Sequence, residues 1–155
     1  MVRVAMGGTF EVVHKGHRAL LAKAFALALG DQVLIGLTSD HLANSTRSRM
    51  VLPYRDREIG LRAYLERKYP GCDYEIAMIG DEFGPAAHLE DLEVLVVSEF
   101  TYPTGVRLNE HREAKGLRSL QLVKIGQVLA DDGKPISSTR VLAGECDVDG
   151  RILSS

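Results

Sequence analysis

Two histidines, His14 and His17, stand three residues apart around Gly16 in the stretch Gly7-Gly8-Thr9-Phe10-Glu11-Val12-Val13-His14-Lys15-Gly16-His17. At the start of a helix that spacing puts both imidazoles on one face. Such a pair has three chemical uses: holding a metal, acting as a general base, or donating hydrogen bonds to a phosphoryl oxygen. A metal is the weakest reading, because two histidines without a third ligand nearby are half a site. A base is not demanded where the attacking group is already an anion. Donation to a phosphate, in the partial positive field of a helix N-terminus, suits the setting best. The paired glycines Gly7 and Gly8 let the backbone turn sharply and approach a ligand, and N–H groups of the loop and of the helix start are expected to cradle a phosphate. No G-x-G-x-x-G pattern occurs there, so a dinucleotide cradle is not supported.

A second segment, Ile136-Ser137-Ser138-Thr139-Arg140, gathers hydroxyls and a guanidinium after a Gly-Lys-Pro turn. One serine is enough to cap a helix. Successive hydroxyls with an arginine are what a triphosphate asks for, since its oxygens only accept hydrogen bonds. The two segments read as two walls of one nucleotide site.

The elements that must position them alternate between β and α. Residues 2–8 read as a buried strand running into a tight turn, and residues 16–29 as a helix stopped by Gly30. Strands are expected over 32–39, 74–79, 93–97 and 120–125, and helices over 53–69 and 104–115. Residues 44–49, polar and basic without periodicity, read as a loop. Continuous apolar strands alternating with helices predict a Rossmann-like, doubly wound α/β fold: a five-stranded parallel sheet with helices on both faces. In such sheets the ligand sits beyond the carboxyl ends of the strands, where strand order reverses.

The chain has 155 residues, which suits a single domain over 1–155. With 19 Lys+Arg against 21 Asp+Glu the net charge is -2, which argues against a dedicated nucleic-acid binder. No apolar run reaches membrane-spanning length and there is no leader, so a cytoplasmic protein is expected, without a membrane or nucleic-acid partner. Cys72 and Cys146 match no zinc or redox spacing. Lys15 is expected to project into water and Arg57 to be structural or at the surface. Asp81, Glu82 and Asp91 are expected to be solvated, and no protein metal site is expected. Residues 144–155 carry no motif.

Together, Gly7-Gly8-Thr9-Phe10, His14-x-Gly16-His17 and the distant Ile136-Ser137-Ser138-Thr139-Arg140 resemble the nucleotidyltransferase superfamily with the HxGH signature. Within it the chain is similar to the archaeal and eukaryotic phosphopantetheine adenylyltransferases. Leu37-Thr38-Ser39-Asp40, Pro53-Tyr54-Arg55-Asp56-Arg57, Gly84-Pro85-Ala86 and Val96-Val97-Ser98-Glu99-Phe100-Thr101 carry that likeness, with Asn109 and Arg112. The resemblance implies transfer of AMP from ATP to 4′-phosphopantetheine, giving 3′-dephospho-coenzyme A and pyrophosphate, with Mg²⁺ bound through the ATP phosphates. It implies that Thr9 and Phe10 place the acceptor phosphate and that His14 and His17 act on the ATP phosphates, with Gly8, Gly16 and Glu99 beside them. Ser137, Ser138, Thr139 and Arg140 would hold the triphosphate. The bacterial relatives carry a phosphate-binding lysine after the second strand; here Arg47 or Arg49 would take that duty. Sister activities remain open alternatives: a cytidylyltransferase, a nicotinamide mononucleotide or flavin adenylyltransferase, or an idle regulatory module. A monomer is expected.

Overall fold

The computed structural model describes residues 3–45, 47 and 49–153. Val2, the expected start of the first strand, and two positions of the expected loop over 44–49 lie outside the described residues. The described strands are β1 (Val4–Gly8), β2 (Val33–Thr38), β3 (Tyr74–Ile79), β4 (Val94–Val97) and β5 (Gln121–Lys124). They form one five-stranded sheet in the order β3-β2-β1-β4-β5, with every pairing parallel. The helices are α1 (Lys15–Ala28), α2 (Asp40–Ser45), α3 (Tyr54–Lys68), α4 (Tyr102–Ala114) and α5 (Ser138–Leu142), with a 3-10 turn at Gly84–Ala87.

Side-chain alternation along the strands divides the core between the two faces. Val4 and Met6 of β1 and Val33, Ile35 and Leu37 of β2 meet Leu21 and Ala24 of α1 and Leu61 and Leu65 of α3. Ala5 and Leu34 point the other way, toward Ala86, Ala87, Leu92 and, on α4, Leu108. Connections before β1 in the sheet order cover one face and those after it cover the other, which is the doubly wound arrangement expected from the alternation of elements. Each fully buried Leu or Ile contributes on the order of 1.5–3 kcal/mol, and the first face holds most of them.

On the second face, the strand ends nearest the ligand side are small: Gly7 is paired with Gly36, and Gly36 with Ala77. A Cβ on Gly36 would lie 2.3 Å from Cδ1 of Ile79, so the Ile79 side chain occupies the space that a larger residue would take. Strand pairing widens this opening. β1 and β2 are in register from Val4↔Val33 to Gly8↔Leu37, whereas β1 and β4 pair only at Val4↔Val94 and Ala5↔Leu95. Beyond Ala5 the two strands part, and a crevice opens at the point where strand order reverses.

Differences from the expected elements have local causes. The segment after β2 holds the short helix α2, whose start is capped by the Ser39 hydroxyl accepting from the Leu42 N–H at 3.2 Å. α4 begins at Tyr102 rather than Thr104, because Pro103 is accommodated in its first turn, where no N–H is missed. α1 ends at Ala28, and Leu29 takes a left-handed conformation at φ +50° before Gly30 at φ +88°. Asp81 is not simply solvated: its carboxylate accepts from the Phe83 and Gly84 N–H groups and so starts the 3-10 turn.

Candidate active site

His14 caps α1 with its side chain. Its Nδ1 accepts from the Gly16 N–H at 3.0 Å and from the His17 N–H at 3.4 Å. In return His17 Nδ1 faces the His14 N–H at 3.4 Å, completing a reciprocal capping box built from two imidazoles. The rings stack with centroids 3.9 Å apart, and the Phe10 ring backs His17 at 4.5 Å. With its Nδ1 committed to two backbone donors, the His14 ring carries its proton on Nε2. Gly16 is required by the cap: a Cβ there would lie 2.9 Å from Cε1 of His14.

Burial pushes the His14 imidazole down to about 4, helped by the charge of Arg18. Burial likewise pushes His17 down to about 3; His14 and Arg47 add to this, and the Val12 carbonyl partly offsets it. Both rings are therefore neutral at neutral pH. The unfolded chain protonates these histidines below about pH 6.5 while the folded chain does not, so it binds more protons and stability falls as pH drops from 6.5. The urea midpoint is expected to decline between about pH 6.5 and 5, above the carboxylate range, and a His14→Asn/His17→Asn double variant should flatten that decline. An unchanged slope in the variant would refute neutral burial of the pair.

The capping also corrects an expectation. The N–H groups of Gly16 and His17 are held by His14, and the Lys15 N–H donates to the Val148 carbonyl at 2.7 Å. The first turn of α1 thus has little backbone left for a phosphate, and the imidazole N–H groups are the donors it presents.

Around the pair lies a cavity of about 840 Å³, lined by Gly8, Thr9, His14, Gly16, His17, Arg47 and Glu99 among the residues singled out from sequence. Thr9 Oγ1 accepts from Thr38 Oγ1 at 3.0 Å, which frees its own proton to donate. Arg47 stands on the cavity wall, with Nη1 donating to the Ala43 carbonyl at 3.0 Å. From this polar end the cavity runs onto the second face of the sheet, over Ala5, Gly7, Gly36 and Ala77, between Phe83, Ala86, Thr104 and Leu108. The sequence reading missed this apolar branch, whose signal was the run of small residues at paired strand positions, Gly7, Gly36 and Ala77.

Other expected residues stand back from the cavity. The Phe10 ring is buried in the core at φ +51°, so it acts on the site by packing behind His17. Ser137 caps α5 by accepting from the Arg140 N–H at 3.1 Å, and Ser138 and Thr139 follow it. They adjoin the cavity through Pro135 and Ile136, which line it. Arg49 forms a two-pronged ion pair with the buried Glu11 at 2.5 and 2.8 Å, and donates to Thr139 Oγ1 at 3.1 Å. That arginine holds the Glu11 carboxyl below its usual range and ties the first loop to the late one.

Arg140 does not face the cavity. Its guanidinium is spent on Asp132 at 2.5 Å, Glu145 at 2.8 Å and the carbonyls of Lys134 and Pro135. Two carboxylates compensate its charge, so its geometry is that of a staple for the late loop rather than of a phosphate ligand.

Residues that sequence reading undervalued organise the site. Arg57, wholly buried, donates to the carbonyls of Leu52, Thr9 and Thr38 at 2.7, 3.0 and 2.8 Å and to Asp40 at 2.9 Å. It knots the ends of β1, β2 and α3 behind Thr9. Among the described residues no three His, Cys, Asp or Glu side chains stand where they could hold a metal ion together. Glu82 at the cavity rim is paired with Arg107 at 2.7 Å, and Asp91 with Arg3 at 3.1 Å. No helix among the described residues is long and apolar enough to cross a membrane.

A parallel sheet that opens where its order reverses, with a histidine pair capping the first helix there, is the architecture of a nucleotidyltransferase. The chain belongs to the cytidylyltransferase-like family, whose model matches residues 5–144, and within it to the phosphopantetheine adenylyltransferases. The protein of that name from Methanosarcina acetivorans is 42% identical over 153 residues, covering 98% of this chain and 96% of that one. Its namesake from Archaeoglobus fulgidus is 43% identical over 152 residues, with 98% and 100% covered. Among solved structures, a protein of unknown function from Archaeoglobus fulgidus superposes with a TM-score of 0.73 at 39% identity, covering 80% of this chain and 89% of that one.

Proposed function

We propose that this chain transfers the adenylyl group of ATP to 4′-phosphopantetheine, releasing pyrophosphate and forming 3′-dephospho-coenzyme A. One observation carries the reading beyond family membership: a single cavity joins the polar end at His14, His17 and Arg47 to an apolar branch on the second face. Phosphates belong at the first and a long, mostly uncharged arm at the second. Its volume of about 840 Å³ lies within the usual range for a small-ligand site.

The acceptor phosphate is already an anion, so the reaction asks for positioning and charge stabilisation rather than a base or a covalent intermediate. One of its oxygens attacks the α-phosphorus of ATP; that P–O bond forms as the bond from the α-phosphorus to the bridging oxygen breaks, and the electron pair leaves with pyrophosphate. The hydroxyl of Thr9, oriented by Thr38, holds the acceptor phosphate. The imidazole N–H groups of His14 and His17 donate to the α-phosphate oxygens as charge redistributes. Arg47 faces the departing phosphates, and Ser137, Ser138 and Thr139 bind them from the late loop. Arg49 sets the distance between the two loops through Glu11 and Thr139, and Glu99, which lines the same cavity, is assigned to the nucleotide. Magnesium enters on the ATP phosphates as part of the substrate Mg-ATP.

The test is pyrophosphate release from Mg-ATP with 4′-phosphopantetheine, nicotinamide mononucleotide or flavin mononucleotide, and from CTP with glycerol 3-phosphate. Release with phosphopantetheine alone, and 3′-dephospho-coenzyme A in the product, is the expected result. Release only with another acceptor would move the chain to a sister activity, and no release with any would overturn the catalytic reading.

A further inference from the structure

After Gly144 the chain forms a hairpin whose tip meets the histidine loop. Buried Cys146 packs against Ala130 and Ile136 and bridges antiparallel to Ile152, which makes a small hairpin. Its turn is closed on both sides. Asp147 Oδ1 accepts from the N–H groups of Asp149 and Arg151, both at 2.9 Å, while the Asp147 N–H donates to the Arg151 carbonyl at 2.9 Å. Gly150 turns at φ +85°, a conformation that costs glycine little. Its carbonyl accepts from the Asp131 N–H at 2.8 Å, which moors the turn to the segment before the late loop.

The tip of this hairpin, Val148 and Asp149, meets α1 at two points. The Val148 carbonyl takes the Lys15 N–H at 2.7 Å, and the Asp149 carboxylate takes Nη1 of Arg18 at 2.7 Å. Nε of Arg18 donates in turn to the Val13 carbonyl at 3.1 Å, and its guanidinium lies 5.6 Å from the Tyr64 ring centre. The backbone on either side of His14 is therefore held from behind, Lys15 directly and Val13 through Arg18.

We infer that the C-terminal hairpin positions the histidine pair, with Asp149 and Arg18 as positioning residues that keep the His14 and His17 donors aimed into the cavity. The inference rests on the reading of those histidines as phosphate donors given above. The ion pair is half exposed, so it adds little to stability. Its place matters more, since a displacement of about 1 Å in a reacting array can cost up to roughly 100-fold in rate.

The experiment uses the full chain with Asp149→Ala and Asp149→Glu, measuring kcat and KM for ATP, the melting temperature, and hydrogen exchange at the Lys15 amide. Asp149→Ala is expected to lower kcat about tenfold with KM within about twofold, because the loss falls on interactions made in the transition state. The melting temperature should move by no more than about 4 °C, the Lys15 amide should exchange faster, and Asp149→Glu should restore most of the rate. An unchanged kcat with unchanged Lys15 protection overturns the inference, as does a rate loss that only tracks loss of folded protein. If a His17→Ala enzyme turns over normally, the donor reading fails instead, and Lys15 exchange still reports whether the hairpin holds the loop.

Discussion

Replacing His17 with alanine is expected to lower kcat by roughly 10²–10³, the cost of losing one donor aimed at developing charge in a water-poor site. The KM for ATP should change much less, since His14, Arg47 and the late loop keep their places. His17 also belongs to the capping box, so about 1 kcal/mol of stability should go with it, and kcat must be referred to folded protein. The same enzyme offers a second discriminator. A histidine working as a base at its ordinary pKa would bend the rate profile near pH 6.5. His17 is held neutral down to about 3 and His14 to about 4, so the profile of kcat should show no histidine inflection from about pH 5.5 to 8. Near-normal turnover in His17→Ala, or a wild-type inflection near 6.5 that vanishes in it, would sink the donor assignment.

What the sequence disclosed is what short-range chemistry dictates. Apolar runs bounded by glycines located the strands, and Pro70-Gly71 and Gly116 ended helices where local conformation demanded it. The histidine pair was visible because its partners are each other, three residues apart. The roles of Glu11 and Asp149 were hidden because their partners lie 38 and 131 residues away in the chain, and Arg57, expected to be structural or at the surface, reaches as far as Thr9, 48 residues away. No periodicity reports such pairings. Arg140 shows the opposite failure: beside three hydroxyls it reads as a phosphate ligand, yet Asp132 and Glu145, eight and five residues away, had already claimed it. An arginine with acids on both sides in sequence is as readily a staple as a ligand. The backbone donors of α1 were overestimated for a related reason. The histidines that mark the site are also the residues that cap the helix, so the N–H groups taken for a phosphate cradle hold the imidazoles in place instead.

Arg57→Met is the second large effect expected. The guanidinium is wholly buried, with the carbonyls of Leu52, Thr9 and Thr38 and the Asp40 carboxylate around it. Methionine fills comparable volume but donates nothing, so three part-buried carbonyls lose a partner, while the half-exposed Asp40 keeps the Tyr54 N–H at 2.8 Å. Taking the donor from three part-buried carbonyls costs about 3 kcal/mol in all, which for a chain of this length lowers the melting temperature by roughly 10 °C. Because Arg57 fixes the Thr9 carbonyl and the Thr38 hydroxyl from behind, the acceptor side of the site should suffer more than the nucleotide side. At a temperature where the variant is folded, KM for the acceptor should rise while KM for ATP stays close to wild type. Arg57→Lys separates charge from geometry: one ammonium cannot reach carbonyls on three segments and a carboxylate at once, so it should recover part of the stability and little of the acceptor affinity. If Arg57→Met melts like the wild type, or if both substrates weaken equally in the folded variant, the knot does not organise the acceptor wall and Thr9 owes its place to the β1 turn alone.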